Sequence, residues 1–223
     1  MLKRLLNTFK KIAKAEKGYT LIEVASVVAI TATLAAVAVP VALDKVNEGK
    51  IVSALQDTKQ IGATIAAFYK DVGEFPAFDG AAKETMHVLR SGDQNDQKLG
   101  TGFDPVGAGS TKWVSAAADG VTDLLENHLV KDNPGGTNDA YLDASLNWKG
   151  PYADTFTKRD PWGNNYLVYI RAFYKPTTGV GTKEYGWIIS AGPNAKLETE
   201  VTDNKLQEDD IGYYPFAAET GHN

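Results

Sequence analysis

The side chains that most often carry out chemistry are few and scattered in this sequence. Its three histidines, His87, His128 and His222, lie far apart, and none has a second histidine at metal-ligand spacing. No nucleophile-elbow pattern, Walker loop or dinucleotide-binding glycine motif in a suitable context occurs. We therefore expect these histidines on the surface, and we do not expect an enzyme.

Two acidic features of the sequence are stronger candidates for a functional role than the histidines. Glu23 lies directly before Val24–Leu43, a run of 20 residues without a charge. A carboxylate near the end of a transmembrane helix is costly and normally needs a partner, although it can also rest at the membrane interface with no role. The second feature is the acidic segment after Ala191, and such a loop is most often simply solvated.

Composition restricts the class of protein. A chain of 223 residues with 43% hydrophobic content can form one domain with an appendage. The absence of cysteine excludes disulfides, thiolate metal sites and a cysteine nucleophile. The net charge of −5 argues against nucleic-acid binding, and it is divided unevenly, with +5 on residues 1–18 and −10 on the remainder.

The apolar run is the candidate membrane segment. Its length suits a bilayer, it has no polar face, and the six cations before it should stay cytoplasmic. Residues 51–69 continue with amphipathic helical spacing. We predict one helix, Tyr19–Lys70, with a kink or a locally melted stretch at Pro40. A buried core helix is the alternative.

The rest of the chain has a mixed pattern. We predict short helices at Asp79–Arg90 and Val121–Lys131, separated by a surface loop at Ser91–Ser110. Two strands should form a hairpin, Tyr166–Tyr174 and Glu184–Ser190, joined by Lys175–Lys183. The tail from Ala191 to Asn223 is predicted to be a loop.

The junction between the basic segment and the apolar run carries a specific motif, Lys17-Gly18-Tyr19-Thr20-Leu21-Ile22-Glu23-Val24. It resembles the amino-terminal region of type IV pilins and of the pseudopilins of type II secretion, and the resemblance extends to about Tyr69. In that family a prepilin peptidase cuts after a glycine, and the new aromatic amino terminus is methylated. The resemblance implies cleavage between Gly18 and Tyr19.

The resemblance also implies assembly roles for Glu23 and Pro40. Glu23 matches the acidic fifth residue of the mature chain, and Pro40 lies where the family often has proline. Cleavage creates an α-amino group on Tyr19. On a neighbouring subunit, that cation is a suitable partner for Glu23 once the helices bundle away from water, and the pair would set their axial register.

A second block of motifs narrows the resemblance to major pseudopilins. Residues 160–166 look like their DPWG-N-x-Y segment, and residues 190–194 and 209–213 resemble elements that fold a loop around calcium. The lack of cysteine agrees, because many type IVa pilins close the equivalent loop with a disulfide. Asn194 departs from the pattern, since the family usually has aspartate there, and the connection Ala195–Glu208 is longer than usual.

The resemblance implies a calcium site in this loop. Calcium takes six to eight oxygen ligands, which carboxylates and backbone carbonyls can supply. The candidates at matching positions are the side chains of Asn194 and Asp209, the carbonyls of Ala191 and Gln207, and the neighbouring carboxylate of Asp210. We find no apolar pattern in the connection Ala195–Glu208, so we expect calcium to be its main anchor.

Together these features predict an α+β protein of the type IV pilin fold. A long amino-terminal helix, transmembrane and then amphipathic, would pack on a small carboxy-terminal antiparallel sheet with loops. The predicted parts are a cleaved leader at 1–18, a transmembrane and filament-core segment at 19–47, and a head at 48–223. The head would be periplasmic, or extracellular in an assembled filament, with a single-pass anchor in the bacterial inner membrane and a cytoplasmic amino terminus.

The predicted function is structural: polymerisation through the helix into a pilus-like filament, most like the major pseudopilin of type II secretion. The implied partners are further copies of the chain, the prepilin peptidase, the inner-membrane assembly platform and minor subunits, and no nucleic acid. The main alternative is the major subunit of a surface pilus. A membrane-anchored binding module that never polymerises and an exported hydrolase are the alternatives from other classes.

Overall fold

One long helix dominates the amino-terminal half of the described chain. The computed structural model describes residues 18–82, 86–92, 121–174 and 183–215, so the predicted leader apart from Gly18, most of the 91–110 loop, the 175–182 turn and His222 lie outside the described residues. Helix α1 covers Leu21–Val72, 52 residues, and the predicted long helix is confirmed.

Helix α1 is uninterrupted at Pro40, so of the two outcomes expected there the locally melted stretch is wrong, and the kink stays a prediction. Proline removes one backbone donor, but the remaining hydrogen bonds of so long a helix keep its neighbours helical. The helix ends at Gly73, whose positive φ of 80° and N–H bond to the Tyr69 carbonyl (2.8 Å) form a glycine C-cap.

The described residues form two compact units, divided between Glu48 and Gly49. In the second unit five short strands form one sheet with the order β2-β1-β3-β4-β5. These strands are β1 (Met86–Arg90), β2 (Val121–Leu124), β3 (Leu167–Tyr169), β4 (Ile188–Ser190) and β5 (Ile211–Tyr213). The α+β class is therefore confirmed.

The sheet is mixed, and the prediction of an antiparallel sheet is wrong at one edge. Strands β1 and β2 run parallel, whereas the other three neighbouring pairs are antiparallel. Parallel neighbours need a crossover connection of a dozen or more residues, and the 30 residues between Arg90 and Val121 provide it.

Part of each predicted short helix is a strand instead, so both helix predictions are wrong over those residues. The segment 79–90 ends in β1, and the segment 121–131 starts as β2 before helix α2 (Leu125–Leu129). Two further short helices, α3 (Ala140–Asp143) and α4 (Arg171–Tyr174), and a 3₁₀ turn (Pro134–Gly136) complete the described helical structure. Pairing with distant strands outweighs a weak local helical pattern in pieces of this length.

The predicted hairpin strands are real but shorter than expected. Strands β3 and β4 pair antiparallel, yet β3 ends at Tyr169 and the chain turns helical at Arg171. The tail predicted as a loop contributes β5, which pairs with β4 through Ile211 and Ser190.

The sheet buries both of its faces. On one face Val168 and Ile188 pack with Ile65 and Phe68 of α1. On the other, Tyr169 and Ile189 pack in a second cluster with Val88, Leu167, Trp187, Leu197 and Val201. Because alternate strand residues point to opposite faces, β1, β3 and β4 each contribute to both clusters. The 191–210 loop therefore lies against a packed sheet rather than free in solvent.

Candidate functional sites

The predicted processing and assembly residues lie at the exposed start of α1. Thr20 caps the helix: its N–H and hydroxyl both donate to Glu23 Oε2 (2.8 and 2.7 Å), and its hydroxyl accepts from the Glu23 N–H at 3.3 Å. This is a capping box, a T-x-x-E pattern that was visible in the sequence and was missed. It leaves Glu23 Oε1 without a hydrogen bond among the described residues.

Apolar side chains beyond Glu23 cover the surface of α1 as far as Val46. Val28, Leu34 and Val37 are 59%, 65% and 72% exposed. An 18-residue window of α1 has a mean hydropathy of 2.2, and none of it is buried by the rest of the described chain. By length and composition, α1 is able to cross a membrane.

The DPWG segment organises the start of the acidic loop. Asp160 is buried, and its Oδ1 accepts from the N–H groups of Trp162 (3.0 Å) and Asn164 (2.8 Å). Its Oδ2 accepts from the Ser190 hydroxyl at 2.6 Å, and Ser190 Oγ in turn accepts from the Gly192 N–H at 3.1 Å. Asp160 and Ser190 therefore fix the turn that presents the Ala191 and Gly192 carbonyls.

The same segment ties the head to α1. The Tyr166 hydroxyl donates to Asp57 Oδ2 at 2.7 Å, across 109 residues of sequence. Asn165 Nδ2 donates to the Ser91 carbonyl at 2.8 Å, just after β1. The half-buried position of Asp57 on α1 follows from this pairing with a buried phenol.

The structure brings most of the predicted calcium residues together between β4 and β5. The Asn194 N–H donates to Asp209 Oδ2 at 2.9 Å, and the Asp210 N–H donates to the Gln207 carbonyl at 3.1 Å. Asp210 Oδ2 accepts from the N–H groups of Glu198 and Thr199, at 3.0 and 2.7 Å. Ala191 is buried at the entrance to the loop.

Asp209 Oδ1 and Asp210 Oδ1, both in this loop, are buried without a hydrogen-bond partner among the described residues. Burial raises the pKa of Asp210 to about 6, although the Thr199 and Glu198 donors oppose the rise. Such orphaned oxygens are costly unless a donor or cation meets them. No three carboxylates or imidazoles in the described part of the chain already have the spacing of a metal centre. The oxygen-only chemistry of the loop fits calcium.

The connection Ala195–Glu208 is better anchored than expected. Leu197 and Val201 are 2% and 6% exposed and pack on the second face of the sheet. The expectation that this segment lacks an apolar anchor is therefore wrong. The two anchoring residues lie four positions apart, and two apolar residues alone do not form a recognisable periodic pattern in the sequence.

The expectation of surface histidines is wrong for His128, which is fully buried in α2. Its Nδ1 lies 2.6 Å from the Tyr141 hydroxyl, and its Nε2 lies 3.2 Å from Asp123 Oδ2. Burial tends to raise the pKa of the Asp123 carboxyl, but His128 and the Gly135 and Leu124 N–H groups outweigh it, so the pKa is lowered. This buried chain of polar groups stabilises the edge of the head.

The buried tyrosines predict an alkaline limit to stability. Burial raises the pKa of Tyr141, Tyr166 and Tyr169, each at most 2% exposed. A raised pKa contributes stability that is complete below the unfolded value near 10 and is lost above it, by about 1.4 kcal/mol per group per pH unit. The melting temperature of the full chain in detergent should therefore fall steeply above about pH 10.

A Tyr166→Phe variant should reduce that alkaline slope, because one of the three phenols is gone. It should also be less stable at neutral pH by about 1 kcal/mol, since the bond to Asp57 is lost. Phenolate absorbance that rises fully near pH 10 while tryptophan fluorescence remains native would contradict this account.

Comparison of the chain with protein-family models, curated proteins and solved structures gives no match.

Proposed function

We propose that this chain is a structural subunit that polymerises through its amino-terminal helix into a type IV pilus-like filament. In this proposal α1 first anchors the chain in the bacterial inner membrane, a prepilin peptidase cuts after Gly18, and Tyr19 becomes the methylated amino terminus. An assembly platform and minor subunits then add each mature subunit to a growing filament. Self-contacts that do not close into a ring are what such a filament requires.

The observation that carries the proposal is the two-part surface of α1. Residues from Leu21 to Val46 expose apolar side chains all round, whereas residues from Ala54 onward bury one face in the head. Leaving each valine or leucine side chain in water rather than buried costs roughly 1.5–3 kcal/mol. A covering is therefore needed, and lipid before assembly and other α1 helices after it would supply one.

Glu23 supports a specific pairing within the filament. Its Oε2 is occupied by the Thr20 cap, while its Oε1 has no partner in the described chain. A cation that approaches from a neighbouring subunit can meet Oε1 without breaking the cap. The α-amino group created on Tyr19 by cleavage is such a cation, and the pairing would set the axial register between subunits.

We further propose that the filament is the pseudopilus of a type II secretion system and that the loop between β4 and β5 binds one calcium ion. The residues that would hold it are Asp209 and Asp210 through their orphaned oxygens, Asn194, and the carbonyls of Ala191 and Gln207. Calcium would neutralise carboxylates that the loop holds close together. The experimental signature is a melting temperature that chelator lowers.

The membrane and filament steps can be tested together with Leu34→Arg. An arginine at the centre of a membrane segment costs about 2.5–3.5 kcal/mol on insertion scales, and Leu34 takes no part in the core of the head. We expect this variant to be lost from the alkali-washed membrane fraction, and electron microscopy of sheared cells should find filaments only with the parent chain.

Val52→Arg is the matched control, because Val52 is equally exposed, at 64% against 65% for Leu34, yet lies outside the apolar run. It should insert normally. Full membrane retention of Leu34→Arg would exclude α1 as the anchor. A parent chain that remains entirely monomeric in the membrane when the assembly proteins are present would favour the non-polymerising binding module instead.

A further inference from the structure

We propose that Glu198 is a calcium ligand that restores the negative charge missing at Asn194. This inference rests on the proposed calcium binding of the loop between β4 and β5. It assigns a role to the connection 195–208, which appeared in the sequence only as an unusually long insert.

The contacts of Glu198 place its carboxylate beside Asn194. Glu198 Oε1 accepts from Asn194 Nδ2 at 2.9 Å, while Asn194 Oδ1 accepts from the Lys196 N–H at 2.6 Å. Ala195, with a positive φ of 56°, turns the chain so that residue 198 returns to residue 194. The Glu198 carboxylate therefore lies next to the neutral side-chain amide of Asn194.

The backbone of Glu198 also joins the other two acids. Its N–H donates to Asp210 Oδ2 at 3.0 Å, and Asp209 Oδ2 accepts from the Asn194 N–H at 2.9 Å. Asn194, Glu198, Asp210 and Asp209 therefore form a closed ring of contacts, because residues 209 and 210 are adjacent. Three residues of this ring carry carboxylates, and calcium binding would have to draw those carboxylates closer, since no three in the described part of the chain already have the spacing of a metal centre.

Independent observations indicate that the hydrogen bonds within the ring do not satisfy all of its carboxylate oxygens, so that a cation could still bind there. Asp210 is 5% exposed, and its Oδ1 is buried with no hydrogen bond among the described residues; Asp209 Oδ1 is in the same condition. Three like charges in one partly buried loop repel one another, and a divalent cation removes that repulsion. A ligand set of several carboxylates and backbone carbonyls suits calcium better than magnesium, which usually keeps several waters.

The alternative is that Glu198 serves only as the hydrogen-bond acceptor for Asn194. Glu198→Gln separates the two roles, because the glutamine oxygen still accepts from Asn194 but the charge is gone. Glu208→Gln is the matched control, since it removes the same charge from an exposed side chain next to Asp209. Glu198→Asp keeps the charge and should restore part of the affinity.

The test is a calorimetric calcium titration of the full chain in detergent, with melting temperatures measured in calcium and in chelator. We expect Glu198→Gln to weaken calcium binding about tenfold or more, with an unchanged melting temperature in chelator. Glu208→Gln should match the parent chain within about twofold, and Asp209→Asn should show no calcium-dependent rise in melting temperature.

Parent-like calcium affinity in Glu198→Gln would overturn this inference while leaving the calcium site in place. So would an equal fall of its melting temperature in calcium and in chelator, since that pattern marks a purely structural hydrogen bond. If the parent chain itself binds no calcium, both this inference and the proposed calcium site are wrong, but the filament proposal is unaffected.

Discussion

Replacing Glu23 with valine should abolish filaments while leaving membrane insertion and cleavage after Gly18 intact. The change removes a carboxylate from the start of an apolar segment, so insertion becomes easier. It also removes the proposed partner of the α-amino group on a neighbouring Tyr19. Without that pair, a subunit has no polar contact to select its axial position among apolar helices that can otherwise slide.

The capping box makes a sharper comparison possible. Glu23→Gln keeps an oxygen that can accept from the Thr20 N–H and hydroxyl, but it cannot pair as an anion. If charge pairing drives assembly, both variants should fail to form filaments when no parent chain is present. If Glu23 acts only as a helix cap, Glu23→Gln should assemble normally.

The measurements are filament yield in sheared fractions and the intact mass of the membrane-bound subunit. Both variants should have lost the leader, since residues 17 and 18 are unchanged. Normal filament numbers with Glu23→Val would show that the register role is wrong.

The second large effect is expected at Gly18. Replacing it with leucine should leave residues 1–18 attached to essentially all of the protein, and no filaments should form. A side chain at Gly18 would meet nothing within 4 Å in the described chain, and its φ is not in the left-handed region. The described fold therefore places no steric demand on this glycine, and a strong effect of the substitution points to an external recognition event.

Gly49→Leu is the matched control, because Gly49 also has open space around its α-carbon. It should be processed normally, with leucine favoured over glycine inside a helix. Intact-mass measurement distinguishes the two results by the 18 leader residues and by the methyl group expected on Tyr19. A mature amino terminus at Tyr19 in Gly18→Leu, or a parent filament that retains the leader, would contradict the proposed processing.

The two expected losses are linked by one chemical group. Retention of the leader keeps the Tyr19 nitrogen as an amide, so the proposed partner of Glu23 is never created. Gly18→Leu and Glu23→Val should therefore share the loss of filaments but differ in subunit mass, which separates failure of processing from failure of pairing.

Helix α1 and its capping box could be derived from local sequence alone. An apolar run of 20 residues that continues into spaced apolar positions permits no other regular structure, because helical hydrogen bonds are local and need no partner elsewhere. The Thr20–Glu23 box is likewise a contact between residues three apart, so the T-x-x-E pattern is enough to indicate it.

The strands of the sheet and the conformation of the loop between β4 and β5 depend on contacts between residues far apart in the sequence. Residues 86–90 have too weak a pattern to distinguish helix from strand, and pairing with β2 and β3 made them β1. His128, Asp160 and Tyr166 have local sequences that reveal neither their burial nor their partners, which lie up to 109 residues away. Glu198 had no special spacing, and only the turn at Ala195 brought it to Asn194. Local periodicity therefore determined the helix, whereas burial and pairing of polar groups in the head depended on which distant segments shared the sheet.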